Sequence, residues 1–76
     1  MVRAYIMVKT AAGKSEELLA SIQGLGGVIE SHIVAGKYDI IIEATADEVY
    51  DVMHSVATDI RELDGVADTR TYIALE

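Results

Sequence analysis

A chain of 76 residues supplies one domain with a thin core, since at this size only about 60–65% of the unfolded surface is buried on folding. Cysteine is absent, which removes disulfides, thiolate metal sites, iron–sulfur clusters and cysteine nucleophiles together and leaves oligomerisation as the usual reinforcement. Thirteen acids against six bases give a formal charge of −7, which repels a phosphate backbone and argues against direct nucleic-acid binding.

The first stretch, Val2 to Lys9, is rich in β-formers and sets Ala4, Ile6 and Val8 against Tyr5 and Met7. Both faces are largely apolar, so one is expected beneath the domain's own helices and the other against a partner's sheet. Ser15 is placed to cap a helix whose Glu16 and Glu17 complement the positive end of the dipole and whose stripe is Leu18, Leu19 and Ile22; Gly24, Gly26 and Gly27 end it. Val28 to Ala35 reads as a second strand, with Ile29, Ser31 and Ile33 on one face and Glu30, His32 and Val34 on the other. Gly36-Lys37 then reverses the chain into Tyr38 to Ala44, an antiparallel hairpin whose isoleucine-dense second arm suits the sheet interior.

Thr45-Ala46-Asp47-Glu48 has the form of a capping box. Val49, Val52, Met53, Val56, Ile60 and Leu63 follow at helical spacing, with Asp51, Asp59 and Glu62 off the stripe. Asp64-Gly65 stops this helix, and Val66 to Leu75 alternates Thr69, Thr71, Ile73 and Leu75 against Asp68, Arg70, Tyr72 and Ala74 as the last strand. The order is β-α-β-β-α-β, and the two helix-to-strand junctions echo each other, with Leu25, Gly27 and Val28 in register with Leu63, Gly65 and Val66. Two such units interleave into an α+β, ferredoxin-like domain over residues 1–76, a four-stranded antiparallel sheet with both helices on one face.

Catalytic groupings are hard to find. His32 and His54 lie on different elements without metal-ligand spacing, so no metal and no cofactor are expected. Acids along the second helix read as a solvated face, the serines lack a nucleophile elbow, and the glycines after Gln23 follow a helix instead of preceding one, the reverse of a phosphate loop. All four aromatics are tyrosines, too few for a base-stacking platform. No stretch approaches the roughly 18 apolar residues of a membrane span, and the N-terminus is too regularly patterned for a signal peptide, so a cytoplasmic protein is expected.

The conspicuous acid is Asp39, just ahead of Ile40, Ile41 and Ile42, where a buried strand meets solvent. It reads either as a ligand contact or as a turn residue whose carboxylate accepts a local backbone N–H. Thr69 and Thr71 share a strand face and offer two hydroxyls. A carboxylate for an ammonium, with hydroxyls and backbone N–H groups at a glycine turn for a carboxylate, suits an amino-acid zwitterion.

With these motifs the chain resembles the effector-binding (RAM) domain of the Lrp/AsnC family along almost its whole length. Gly36, Tyr38 and Asp39 match that family's glycine turn with a hydrophobic or aromatic residue and an aspartate, and Gly65, Val66, Thr69 and Thr71 match its GV-x-x-T-x-T pattern. The resemblance implies dimers packed sheet to sheet, assembly of dimers into rings, commonly octamers, and free amino acids as effectors in clefts between dimers. Carried over by position, Asp39 holds the effector's amino group, backbone around Gly36 meets its carboxylate, Tyr38 belongs to the same turn, and Thr69 and Thr71 add hydroxyl contacts. Met1 leads straight into the first strand without a helix-turn-helix, so the resemblance is to a stand-alone domain that senses amino acids or co-assembles with full-length Lrp/AsnC regulators. The reading is therefore a non-enzymatic, homo-oligomeric, amino-acid-binding regulatory module. Its rivals are a ligand-independent interaction protein and a small dimeric enzyme using His32, His54 or Tyr38 as acid–base group.

Overall fold

The computed structural model describes all 76 residues. Strand β1 spans Val2–Thr10, helix α1 Ser15–Gln23, strand β2 Val28–Ile33, strand β3 Ile40–Ala46, helix α2 residues 49–61 and strand β4 Val66–Ile73. The sheet order is β2-β3-β1-β4 and every neighbouring pair is antiparallel, as the ferredoxin-like expectation requires. No helix is long and apolar enough to cross a membrane.

Alternation decides which side of the sheet is core. Ile6 faces Ile42 on one side and Thr71 on the other, so Ala4, Ile6 and Val8 of β1 and Ile40, Ile42 and Ala44 of β3 form one continuous face. That face is fully buried against Leu18 and Ile22 of α1 and Val52, Val56 and Ile60 of α2. Each large aliphatic side chain taken wholly out of water contributes about 1.5–3 kcal/mol before entropic costs. Only 13 of 76 residues are buried, however, so the core is thin and the second sheet face carries no helix. On that open face lie Tyr5, Met7, Ile41 and Tyr72, together with the Arg3–Glu43 ion pair at 3.3 Å.

The repeated junction is a real structural repeat. Leu25 N–H donates to Ile22 C=O at 3.0 Å and Leu63 N–H to Ile60 C=O at 3.1 Å; Val28 and Val66 each donate back to the corresponding leucine carbonyl at 3.4 Å. Gly27 (φ +88°) and Gly65 (φ +98°) both take the left-handed region. Their carbonyls accept from Thr45 N–H and Ala11 N–H respectively, each at 2.8 Å. Each βαβ half is therefore locked to the other half by the same turn.

Several expected boundaries shift. Thr45 does not cap α2: it belongs to β3, where its N–H is held by Gly27 and its Cα partner is Arg3, and the helix starts after Glu48 without a side-chain cap. Ser15 is likewise the first helical residue of α1, preceded by Lys14, and its hydroxyl bonds Thr10 Oγ1 at 2.9 Å instead of capping. In β2 an irregularity between Val28 and Glu30 sets Val28 opposite Ala44, so Ile29 is half exposed and Ser31 is the strand's one buried side chain. β3 starts at Ile40, with Tyr38 in the preceding bend, and β4 ends at Ile73, short of Leu75.

Helix α2 departs most from its sequence pattern. It is α-helical over Val49–Asp51, π-helical over Val52–Val56 and α-helical again over Ala57–Arg61, with Ala57 N–H reaching back five residues to Val52 C=O. The π turn adds a residue to the turn and so rotates the flanking segments against each other. Val52, Val56, Ala57 and Ile60 enter the core, whereas Val49 and Met53, expected on the same stripe, face solvent.

Candidate ligand-binding site

Residues 35–39 form an irregular bend between β2 and β3, fastened at both ends. Val34 N–H donates to Asp39 C=O at 2.8 Å, and Asp39 N–H donates to Val8 C=O at 2.9 Å. Lys9 Nζ reaches the Lys37 carbonyl at 3.3 Å. Gly36 is not among the glycines with positive φ, and a Cβ there would meet nothing within 4 Å. The backbone bend does not itself demand glycine at this position, which leaves room above Gly36 for an approaching molecule.

Beneath the bend is a shallow cavity of about 260 Å³, lined by Gly36, Lys37 and Tyr38 of the bend with Met7, Val34 and Ile41 among its apolar walls. Larger depressions exist, but the one of about 560 Å³ lies between the two chain ends and the start of α2 and contains none of the expected site residues. The Tyr38 hydroxyl accepts from Arg70 Nε at 3.2 Å, joining the bend to β4 across the open face. That bond, with the electrostatic influence of Tyr38, Tyr72 and Asp68, raises the Arg70 pKa above its ordinary value.

Asp39 has structural partners already. Its Oδ2 accepts from Thr10 N–H at 2.8 Å and from Thr10 Oγ1 at 3.1 Å, while Oδ1 takes no hydrogen bond within the chain. Thr10 N–H, more than any other group, holds the Asp39 carboxyl below its ordinary value of 3.8, with Thr10 Oγ1 and the charge of Lys9 acting the same way against the effect of burial. Thr10 Oγ1 also meets Ser15 Oγ, so one hydroxyl ties the bend to the first turn of α1.

The expected site residues thus fall into three places. Gly36 and Tyr38 line the cavity; Asp39 is bonded to the end of β1. Thr69 and Thr71 pair with Val8 and Ile6, which places both on the helix-covered side of the sheet, and neither lines the cavity. Four participants went unnoticed in sequence. Thr10 and Arg70 act through strand register, and Val34 and Ile41 become walls only once the bend folds over the open face. A weak signal existed for Arg70, a lone base on a strand beside two tyrosine-bearing neighbours on the same face.

A βαββαβ sheet with an uncovered face and a small apolar cavity at a glycine bend defines a ferredoxin-like binding domain. The profile of the Lrp/AsnC ligand binding domain matches residues 3–76, and the chain belongs to that family. It is 34% identical over 61 residues to the leucine-responsive regulatory protein of Haemophilus influenzae, covering 80% of this chain and 37% of that protein. An uncharacterised HTH-type transcriptional regulator of Pyrococcus furiosus is 36% identical over 59 residues, covering 78% of this chain and 39% of the regulator. The chain spans about two fifths of the length of these curated relatives. Among solved structures, FFRP-DM1 superposes with a TM-score of 0.92 at 33% identity, covering 99% of this chain and all of that one. A Neisseria meningitidis transcriptional regulator solved as a complex with L-Met shares the fold, with a TM-score of 0.84 at 21% identity over 99% of this chain and 50% of that one.

Proposed function

We propose that this chain is a non-enzymatic regulatory module that binds a free amino acid with an apolar side chain at the Gly36–Asp39 bend. The observation that carries the reading is the cavity there: its walls suit an aliphatic or thioether side chain, and Asp39, next in sequence to the lining Tyr38, keeps Oδ1 free to accept from an ammonium group. In this reading backbone around Gly36 meets the ligand's carboxylate, while Thr69 and Thr71, on the helix-covered side of the sheet, do not reach a ligand held in the same chain's cavity. The L-Met bound by the Neisseria relative belongs to the same chemical class.

The same proposal takes the open face of Tyr5, Met7, Ile41 and Tyr72 as the surface on which two copies pack, with dimers joining into rings, commonly octamers. A ligand held in this cavity, whose walls Met7 and Ile41 belong to that packing face, shifts assembly by its differential affinity for the assembled state, and full-length Lrp/AsnC regulators in the cytoplasm are the partners such a module would modulate. One observation favours a ligand-independent interaction protein instead: Asp39 is already engaged in fastening the bend to β1. A thermal-shift screen against the standard amino acids separates the two. A ligand at 100 times its dissociation constant adds about 2.7 kcal/mol of stability. The expected result is a selective rise with an apolar amino acid that Asp39→Ala removes while the protein stays folded. Indifference to every amino acid, from a protein that is already a stable oligomer, overturns amino-acid binding.

A further inference from the structure

The outward side of α2 is built unlike a solvated helix face. Val49, Tyr50 and Met53 are 47%, 65% and 41% exposed, and Met53 lies one helical turn on from both of the others, at i+4 from Val49 and i+3 from Tyr50. Two of the three are residues that the π turn diverts from the core stripe, so the departure from α-helical geometry is what puts them in water. Tyr50 is held: the His54 ring stacks on it with centroids 4.0 Å apart and an interplanar angle of 11°, and His54 Nδ1 lies 3.3 Å from the Tyr50 carbonyl oxygen. An exposed aromatic fixed by a stacked neighbour loses little side-chain freedom when something packs on it.

Charge along this surface is acidic, and Arg3, the base that shares a hollow with Val49, is paired with Glu43 at 3.3 Å. Asp47, Glu48 and Asp51 are interleaved with the apolar residues, and Asp59 and Glu62 follow along the helix. None of the five forms an ion pair: the three in the chain use Glu43, Glu17 and Glu30. Arg61, the base on this helix, donates to Thr58 Oγ1. A second copy meeting this surface with its own would set the same acidic residues against each other, which makes it a poor occupant. The helix covers the side of the sheet away from the open face, and of Val49, Tyr50 and Met53 only Val49 shares a hollow with residues of that face, so sheet-to-sheet packing leaves Tyr50 and Met53 accessible.

We propose that the outward face of α2, with Val49, Tyr50 and Met53 as its apolar floor and Asp47, Glu48 and Asp51 as its charges, docks a cationic amphipathic helix of a partner protein. Aliphatic side chains of such a helix cover Val49 and Met53, a guanidinium stacks on the Tyr50 ring, and flanking lysines or arginines meet carboxylates that have no cation in the chain.

The test is an NMR titration of isotope-labelled full-length chain with a synthetic amphipathic peptide of leucine, lysine and arginine at helical spacing, beside a peptide of the same composition scrambled to destroy its apolar face. Shift changes centred on residues 47–54, with the scrambled peptide about tenfold weaker, are expected. The exposed-site variant Tyr50→Ser/Met53→Ser should weaken binding of the ordered peptide by about tenfold while its unbound spectrum stays folded. The charge variant Asp47→Asn/Glu48→Gln/Asp51→Asn should lower affinity and flatten its salt dependence. Equal binding of both peptides would mean general attraction to an acidic protein and overturns the proposal. So do shift changes centred on Tyr5, Met7 and Tyr72, or shifts at residues 47–54 that follow the chain's own concentration, which would make a second copy the occupant.

Discussion

Gly27→Ala is the sharpest probe of how the two halves are joined. At φ +88° an L-residue costs about 1–2 kcal/mol. The added Cβ would stand 3.0 Å from Val56 Cγ2 and 3.1 Å from the Thr45 carbonyl oxygen. The first neighbour is a core side chain and the second is backbone of β3, so neither yields freely, and crowding of this kind costs about 1–3 kcal/mol more. The sum, about 3 kcal/mol, is a large part of the about 4–11 kcal/mol expected of a domain this size, and implies a fall in melting temperature of about 12–24 °C. Gly36→Ala is the control. Its Cβ meets nothing and its φ is not positive, so the substitution should be neutral or stabilise by up to about 1 kcal/mol. Urea denaturation followed by circular dichroism, at one fixed protein concentration because assembly feeds into apparent stability, gives both values. A Gly27→Ala midpoint equal to that of the parent, or a loss at Gly36 matching that at Gly27, would refute the account of the junction.

Two further predictions concern the bend. Because the folded Asp39 carboxyl sits below its ordinary value of 3.8, its contribution to stability is complete above that value and is lost as pH falls through the lower folded value. The stability difference between the parent and Asp39→Asn should therefore be largest above 3.8 and shrink in stronger acid; a pH-independent difference by denaturant titration would exclude the charge as its source. Thr10→Val keeps the N–H bond to Asp39 but deletes the hydroxyl shared with Ser15, and should cost about 0.5–1.5 kcal/mol, with faster amide exchange in the first turn of α1 as the local signature.

Where the chain's own spacing governs structure, the sequence was readable. Alternation in β1 and β4 and the i, i+4 pair of Leu18 and Ile22 follow from local geometry, and the doubled Leu-x-Gly-Val junction announced two interleaved halves. Thr45 misled because a threonine three residues before a glutamate satisfies a capping pattern and a strand equally well, and here the ladder with Arg3 and the bond to Gly27 outweigh the cap. The π turn was illegible for a related reason: its residues Val52 and Val56 fit ordinary helical spacing, and only the competing demands of the flanking segments reveal the extra residue. Asp39 was visible as unusual, and one of its two readings named a backbone N–H as partner. The donor that it found, Thr10, lies far back in the chain on β1, set by a register that no local pattern encodes.

The position of β1 bears on how this chain is made. Ile6 and Val8 occupy an interior strand whose neighbours, β3 and β4, are both synthesised later, β4 last of all. A nascent chain therefore holds an interior strand with a fully apolar inward face unpaired along one edge until residues 66–73 have left the ribosome, and completion of the sheet waits on contacts between β1 and β4. Until then the exposed edge of β1 is a template for pairing with the wrong strand, and the time needed to translate the second half sets the shortest period over which that hazard lasts.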